Sequence, residues 1–202
     1  VALENAGGML FICLADNPPP IEQAKHDIAE QVGLYNLDRL KVAVQEDMVH
    51  QANWKLVMEN NRECYHCDGN HPELNHTFVA YGFDNDIPVG SDSCPADQSY
   101  VSRQIARWKE LGIYHDLIEF PDDGWHRVSR LPMAEGTSSA TLDGQPASRQ
   151  PIWSLPETIS SSLSVHTQPN SWHHFFCDHV VTFSLTPLGP DQTLLRTSWL
   201  VH

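Results

Sequence analysis

A glutamate and two histidines stand close together between Asn53 and Leu74 and could form a metal site. Glu63 and His66 are three residues apart, so on a helix spanning 59–68 their side chains would share one face. Two neutral imidazoles and a carboxylate form the facial triad that binds ferrous iron and leaves positions open for dioxygen. The residue types therefore point to an iron site. Ordinary polar surface is the alternative in a chain with 12 histidines.

The residues between the two histidines indicate how the chain could bring them together. On a continued helix His71 would point away from His66. Gly69 offers a left-handed exit from the helix, and Pro72 restricts the residue before it to extended geometry. The helix can then end and turn His71 back. Glu63 would accept a hydrogen bond from a ligating imidazole and so fix its tautomer and orientation.

Two cysteines flank the same site. Cys64 and Cys67 form a Cys-x-x-Cys pair, which is typical of half a zinc ribbon or of a redox pair. A closed zinc site would need remote partners such as His173 or His174, because the sequence has no second such pair. The other interpretation is that the thiols pack beside the iron as small buried hydrophobes. Five scattered cysteines make a poor disulfide framework, and we expect them to be reduced.

Aromatic side chains elsewhere could line a pocket for a substrate. An aromatic face attracts a trimethylammonium group by about 0.5–2 kcal/mol per contact. Simple core packing is the competing interpretation for each of them. The candidates are Trp125, Trp153, Trp172, Phe175 and Phe176.

Composition excludes several classes of function. The chain has 202 residues, 41% of them hydrophobic, which suits one sizeable core. Its formal net charge of −14 argues against nucleic acid or an anionic membrane surface as a partner, since both would repel it. No apolar run is long enough to span a membrane, and we expect no signal peptide. A cytoplasmic enzyme is the expectation.

The hydrophobic pattern predicts an α+β fold in which helices flank an antiparallel sheet. Strands are expected at 8–14, 40–50, 159–166, 178–186 and 193–201. Helices are expected at 21–32 and roughly 97–111. The polar stretch between Met133 and Trp153 is expected to be a lid or a hairpin excursion.

The segment that carries the two histidines resembles a known enzyme family. NWK followed by ENNRECYHCDGNHPEL is similar to the catalytic-domain signature of Rieske-type non-haem iron oxygenase α subunits. The similarity is greatest to the branch that includes glycine betaine monooxygenases and stachydrine demethylases. The order of elements from GMLFICLADNPPP to TSWLVH is also similar, so the resemblance covers most of the chain. It implies a helix-grip-like antiparallel sheet around an iron site.

The resemblance also implies roles for individual residues. His66 and His71 match two histidine ligands of a mononuclear Fe(II). Glu63 matches the acidic residue that bridges this iron to the [2Fe-2S] Rieske cluster of a neighbouring subunit. The family's third ligand is an aspartate on a late helix, which would lie beyond His202, and its Rieske domain would precede Val1. We therefore expect residues 1–202 to be a partial catalytic domain, truncated at both ends and inactive alone.

The implied activity is that of an O2- and reductase-dependent monooxygenase. It would hydroxylate a quaternary ammonium substrate such as glycine betaine, and the carbinolamine would release formaldehyde. The implied partners are an NAD(P)H-dependent reductase and other copies of the chain in a homotrimer. Within the family the alternative is an aromatic-ring-hydroxylating dioxygenase α subunit, because the iron signature is shared. A zinc-stabilised, non-enzymatic binding module is the alternative from another class.

Overall fold

The computed structural model describes residues 1–63, 66–78, 98–113, 118, 125–154 and 159–202. Within these ranges the strands are β1 (Ala2–Ala6), β2 (Met9–Cys13), β3 (Lys41–His50), β4 (His126–Pro132), β5 (Ser161–Thr167), β6 (Ser171–Phe175), β7 (Val180–Gly189) and β8 (Gln192–Val201). The helices are α1 (Glu22–Val32), α2 (Trp54–Arg62), the short turns α3 (Cys67–Asn70) and α4 (Pro72–Asn75), and α5 (Gln98–Glu110).

Six of the described strands form one antiparallel sheet in the order β3-β8-β7-β6-β5-β4, while β1 and β2 form a separate hairpin. The register places Phe175 of β6 opposite Leu163 of β5 and Val180 of β7. The last strand, β8, pairs with β3 from the first quarter of the chain. The predicted α+β fold, with helices flanking an antiparallel sheet, is confirmed.

The two faces of the sheet carry different helices. Side chains alternate between the faces along each strand. On one face Leu163 and Phe175 belong to the main buried cluster, together with Ile28 of α1. On the other face Trp172 and Leu185 pack with α2 through Met58. The helix that leads into the Glu63–His71 segment therefore lies on the opposite face from α1.

The predicted helices and strands are present, but β1, β4 and β6 were not predicted. β4 carries His126, Arg127 and Arg130 at buried positions, and β6 contains adjacent histidines. Polar side chains at buried positions hide the apolar alternation by which a strand is recognised. Their burial is possible because they are hydrogen-bonded: Arg130 donates to Tyr35 and to Gln31.

The polar stretch that follows β4 is an irregular loop, so the hairpin interpretation is wrong. Ser139 Oγ donates to Asp178 Oδ1 at 2.6 Å, and the amide of Ala147 donates to Asp178 Oδ2 at 2.7 Å. Burial alone would raise the pKa of Asp178, but hydrogen bonds from His179 and Ser139 outweigh it and lower this pKa to about 2. The buried carboxylate thus ties the loop to the segment between β6 and β7.

In the described part of the chain, no helix is both long enough and apolar enough to cross a membrane.

Candidate metal centre

The start of α2 is held by hydrogen bonds at its N-terminus. The side-chain oxygen of Asn53 accepts from the amide of Lys55 at 3.0 Å, which caps the helix. The Asn53 amide group also donates to the carbonyl of Pro190 at 2.7 Å, in the turn between β7 and β8. Thr193 Oγ1 donates to the carbonyl of Ala52 at 2.8 Å. The position of α2 on the sheet is therefore set before the chain reaches Glu63.

The helix considered for residues 59–68 is interrupted in the structure. The helix ends at Arg62, and Glu63 is extended, with φ −109° and ψ 155°. Gly69 lies inside the short turn α3, so the predicted left-handed exit at this residue is wrong. The chain leaves the turn at His71 instead, with φ −132° and ψ 53°, and Pro72 begins α4. The change of backbone direction at His71, not at Gly69, places the His71 ring next to His66.

The two imidazoles of the segment lie side by side. The ring centroids of His66 and His71 are 5.1 Å apart, and the ring planes are inclined by 76°. A ligating imidazole nitrogen lies about 2.0–2.1 Å from a transition metal, so two rings that share one ion have centroids roughly 5 Å apart. Neutral imidazole suits iron among other metals. The spacing and the chemistry of this pair fit a shared metal ion.

Glu63 is bonded to one of these rings. Its Oε1 lies 2.8 Å from Nδ1 of His66, and the Asn60 amide group donates to the same oxygen at 3.1 Å. An ionised carboxylate only accepts hydrogen bonds, so the proton of the neutral ring is on Nδ1. The lone pair is then on Nε2, the nitrogen left to bind a metal. The contact between Glu63 and His66 gives the tautomer that a metal ligand requires.

A complete ligand set is not assembled in the described part of the chain. No group of three or more His, Cys, Asp or Glu side chains there is arranged to hold a metal ion. Two imidazoles and their supporting carboxylate are what these residues contribute. The roles of Glu63, His66 and His71 remain predictions on this geometry.

The zinc alternative loses support at Cys67. This residue is buried and disulfide-bonded, and a disulfide sulfur is not the thiolate that zinc binds. Its partner and Cys64 lie outside the described residues, and our expectation of reduced thiols is wrong for Cys67.

His174, a possible remote zinc ligand, already has a partner within the sheet. Its Nδ1 lies 3.0 Å from Ser164 Oγ, and burial lowers the pKa of His174 to about 4. His174 is thus engaged within the sheet.

Three of the five aromatic candidates lie away from α2. Trp153 and Phe175 both pack on Tyr35, with ring centroids 5.8 and 5.0 Å apart, in the cluster on the α1 face. Trp125 lies 5.1 Å from Phe11 of β2 and packs against the same cluster. These rings are joined to the core that holds α1.

The other two candidates lie on the α2 face. Trp172 stacks on Phe183 at 4.9 Å and packs with Met58 of α2. Phe176 meets Phe78 edge-on at 6.1 Å in a neighbouring cluster. The five aromatic residues therefore do not form one group. Their role as substrate contacts remains a prediction, and Trp172 and Phe176 are the two that share a face with the helix leading to His66.

Sequence reasoning missed a polar contact beneath α2. Asn61 Oδ1 lies 3.0 Å from Nε2 of His166, a buried residue of β5. One signal was available, since two successive asparagines in a helix interior are unfavourable unless their side chains have partners. Both side chains have hydrogen-bond partners, on different sides of the helix: Asn60 bonds to Glu63 and Asn61 to His166.

Known proteins are similar in sequence to this chain over its whole length. The glycine betaine monooxygenase oxygenase subunit of Chromohalobacter salexigens is 46% identical over 202 residues, which are 100% of this chain and 44% of that protein. The same-named subunit of Pseudomonas aeruginosa is 36% identical over 202 residues, 46% of its length. The chain thus spans less than half the length of these relatives.

Solved structures show the same fold at low sequence identity. A quaternary ammonium Rieske monooxygenase in complex with L-carnitine matches 99% of this chain and 40% of its own, with a TM-score of 0.55 and 16% identity. Naphthalene 1,2-dioxygenase with bound indole matches 99% of this chain and 43% of its own, with a TM-score of 0.55 and 14% identity.

A family model settles the relationship. The model described as "Ring hydroxylating alpha subunit (catalytic domain)" matches residues 37–202, which include the Glu63–His71 segment and all six strands of the main sheet. The chain therefore belongs to the family of ring-hydroxylating α subunits, and its residues 37–202 match their catalytic domain.

Proposed function

We propose that this protein is the oxygenase component of a Rieske-type monooxygenase that hydroxylates an N-methyl group of a quaternary ammonium compound such as glycine betaine. One observation carries the proposal: the Glu63–His66–His71 arrangement occurs in a chain 46% identical, over all 202 residues, to a glycine betaine monooxygenase oxygenase subunit. The substrate class follows the names of these relatives and is part of the proposal.

His66 and His71 would hold the iron. His66 binds it through Nε2, because Glu63 occupies Nδ1. The third ligand is assigned to a carboxylate outside the described residues. A ferrous iron in this position, supplied with electrons by a [2Fe-2S] Rieske cluster, would activate dioxygen for attack on a C–H bond.

Glu63 has two tasks in this proposal. It orients His66, and it links the iron site to the cluster of a neighbouring subunit. The second task is supported by exposure, since 32% of the Glu63 side chain remains accessible although one of its oxygens is bonded to His66. A neighbouring chain can therefore reach it. This arrangement requires a homotrimer or a similar ring of subunits, and an NAD(P)H-dependent reductase as the electron donor.

The overall reaction balances with dioxygen and two electrons. The N-methyl compound, O2, two electrons and two protons give the N-hydroxymethyl compound and water. The hydroxymethyl group is then lost as formaldehyde, which leaves the tertiary amine and releases one proton. Besides the substrate, one O2, one NAD(P)H, whose two electrons the reductase delivers, and protons account for the whole reaction.

Recognition of a quaternary ammonium group would depend on aromatic faces and negative charge. Such a group has no N–H to donate, so hydrogen bonds cannot hold it. Trp172 and Phe176 are the candidate residues on the α2 face, and the chain as a whole carries a net charge of −14. Both features suit a cation.

A cytoplasmic location is part of the proposal, because the electrons come from a pyridine nucleotide. The disulfide bond of Cys67 stands against it, since thiols are kept reduced in the cytosol. Free-thiol counting on protein purified with and without reductant decides whether this bond exists in the cell.

The decisive experiment uses the intact protein with its reductase. We expect stoichiometric iron without zinc, and formaldehyde release that depends on glycine betaine or a related N-methyl compound. Ring-hydroxylated product from an arene, with no response to betaines, would instead support the ring-hydroxylating alternative. Stoichiometric zinc without iron would contradict both oxygenase functions.

A further inference from the structure

The last turn of α2 is tied to the sheet by a partly buried hydrogen bond. Nε2 of His166, on β5, lies 3.0 Å from Oδ1 of Asn61. His166 is 3% exposed. The two residues are 105 positions apart in sequence. The bond therefore joins the helix that precedes the metal centre to a distant strand.

The chemistry of this bond leaves a single arrangement. An amide oxygen only accepts, so Nε2 of His166 carries the proton and donates it. Burial, with smaller effects of the neighbouring His174 and Arg127, lowers the pKa of His166 to about 2, so the ring is neutral. Its other nitrogen, Nδ1, is buried and has no hydrogen-bond partner. The imidazole of His166 thus has one N–H group, and Asn61 Oδ1 accepts its hydrogen bond.

Asn61 is next to the residue that supports the metal centre. Successive residues of an α-helix are about 100° apart around its axis, since there are about 3.6 residues per turn. Asn61 faces β5, and Asn60 faces outward, where its amide group donates to Glu63 at 3.1 Å and lies 3.3 Å from Nδ1 of His66. Fixing the rotation of Asn61 about the helix axis therefore also fixes that of Asn60.

We infer that His166 is a positioning residue for the metal centre: its hydrogen bond to Asn61 holds the last turn of α2 so that Asn60 and Glu63 orient the His66 ring. The inference rests on the proposed function in one respect, that His66 binds iron. The apolar contacts of α2, through Val57 and Met58, lie one turn earlier. They leave the final turn to be set by polar contacts.

The size of the effect follows from the behaviour of residues that orient metal ligands. Removing a hydrogen bond behind a ligating histidine weakens metal affinity or activity by about 10–100-fold. His166 acts through two further side chains, so we expect the lower end of that range.

The test compares two substitutions at one position in the intact protein. His166→Leu removes the donor, whereas the side-chain amide of His166→Gln can donate from a similar position. Ser164→Ala is the matched control: Ser164 lies on the same strand as His166, and the substitution removes a partly buried hydrogen bond to His174 of β6. Iron affinity is measured by chelator competition, and ligand geometry by electron paramagnetic resonance of the ferrous protein with nitric oxide.

We expect His166→Leu to weaken iron binding about tenfold and to split or broaden the resonance signal, while His166→Gln and Ser164→Ala resemble the wild type. An unchanged affinity and signal in His166→Leu would overturn the inference, as would an equal loss in Ser164→Ala. If His166→Leu does not fold, Asn61→Leu breaks the same bond from the helix side and must give the same result.

Hydrogen exchange separates this inference from the proposed function. In metal-free protein the amides at 59–63 should exchange faster in His166→Leu than in the wild type and in Ser164→Ala. If the wild type binds no iron, the proposed function fails, and the exchange rates alone decide whether His166 holds the turn. Equal rates in the three proteins would contradict the positioning role.

Discussion

Oε1 of Glu63 lies 2.8 Å from Nδ1 of His66, which leaves Nε2 of that ring for a metal ion. The contact is made by an extended residue and a residue at the start of a helical turn, not by two residues on one helix. In the proposed site the two side chains have separate tasks: Glu63 would orient the ring of His66, and His66 would bind the metal.

Removing the charge of Glu63 is expected to separate iron binding from turnover. Glu63→Gln keeps an oxygen that can accept from His66 Nδ1, so the iron content of the intact enzyme should stay near normal. Turnover should be nearly abolished, because the bridging carboxylate is gone. Metal analysis and formaldehyde release from the same preparation give both values. A loss of iron as large as that in His66→Ala would make Glu63 a ligand.

Each histidine of the pair is expected to be needed for iron. His66→Ala and His71→Ala each remove a proposed ligand and should reduce iron content at least about tenfold. His76→Ala is the control, since His76 is exposed and lies 3.1 Å from the carbonyl of Leu142. Iron in the purified intact proteins is measured by mass spectrometry. A normal iron content in His71→Ala would show that His71 is not an iron ligand.

The two sheet faces are expected to respond differently to loss of an aromatic ring. Trp172→Leu, on the α2 face, and Trp153→Leu, on the α1 face, should each destabilise the protein by about 1–3 kcal/mol. Steady-state kinetics of the intact enzyme should show a raised KM for the ammonium substrate in Trp172→Leu alone. Equal KM values in the two variants would mean that Trp172 is core only.

Acid is expected to destabilise the protein through its buried histidines. Burial lowers the pKa of His174 to about 4, below the 6.5 of an exposed histidine, so the unfolded chain binds the proton more readily. The contribution to stability is complete above pH 6.5 and is lost as the pH falls toward 4. Between pH 7 and pH 5 the wild type should lose about 1–2 kcal/mol more than His174→Asn.

Urea unfolding at the two pH values measures this difference. His26→Gln is the control, because it replaces a histidine whose side chain is 71% exposed. A wild type and a His174→Asn variant with the same pH dependence would show that His174 is solvated.

Asp178 is expected to anchor the loop after β4. Asp178→Ala removes the acceptor of Ser139, Ala147 and His179 and should cost about 3–5 kcal/mol, because a buried charged contact is broken. Limited proteolysis should then cut within 134–150. The control is Asp143→Ala, an exposed residue of the same loop that accepts from Thr141 and Gln145. Equal protection of the loop in the two variants would contradict the anchoring role.

Local sequence determined most helices and strands, and it brought Glu63, His66 and His71 together as candidates for a metal site. α1 and α5 follow from apolar residues at helical spacing, and β3, β7 and β8 from strand-forming runs of the right length. The close approach of Glu63, His66 and His71 was predictable because all three lie within a short stretch that Pro72 interrupts. The prediction failed there at the helical state of Glu63 and at Gly69: α2 ends at Arg62, Glu63 is extended, and Gly69 lies inside a separate helical turn.

Only the tertiary structure decided which side chains meet across the chain. Periodicity shows that a residue faces a core, but not which face of the sheet lies toward α2. The five aromatic candidates therefore looked alike in sequence and are divided between the two faces in the fold. The bond between Asn61 and His166 spans 105 residues. No local preference encodes such a bond, because it forms only when the packing of α2 on the sheet brings the side chain of Asn61 to the buried donor His166.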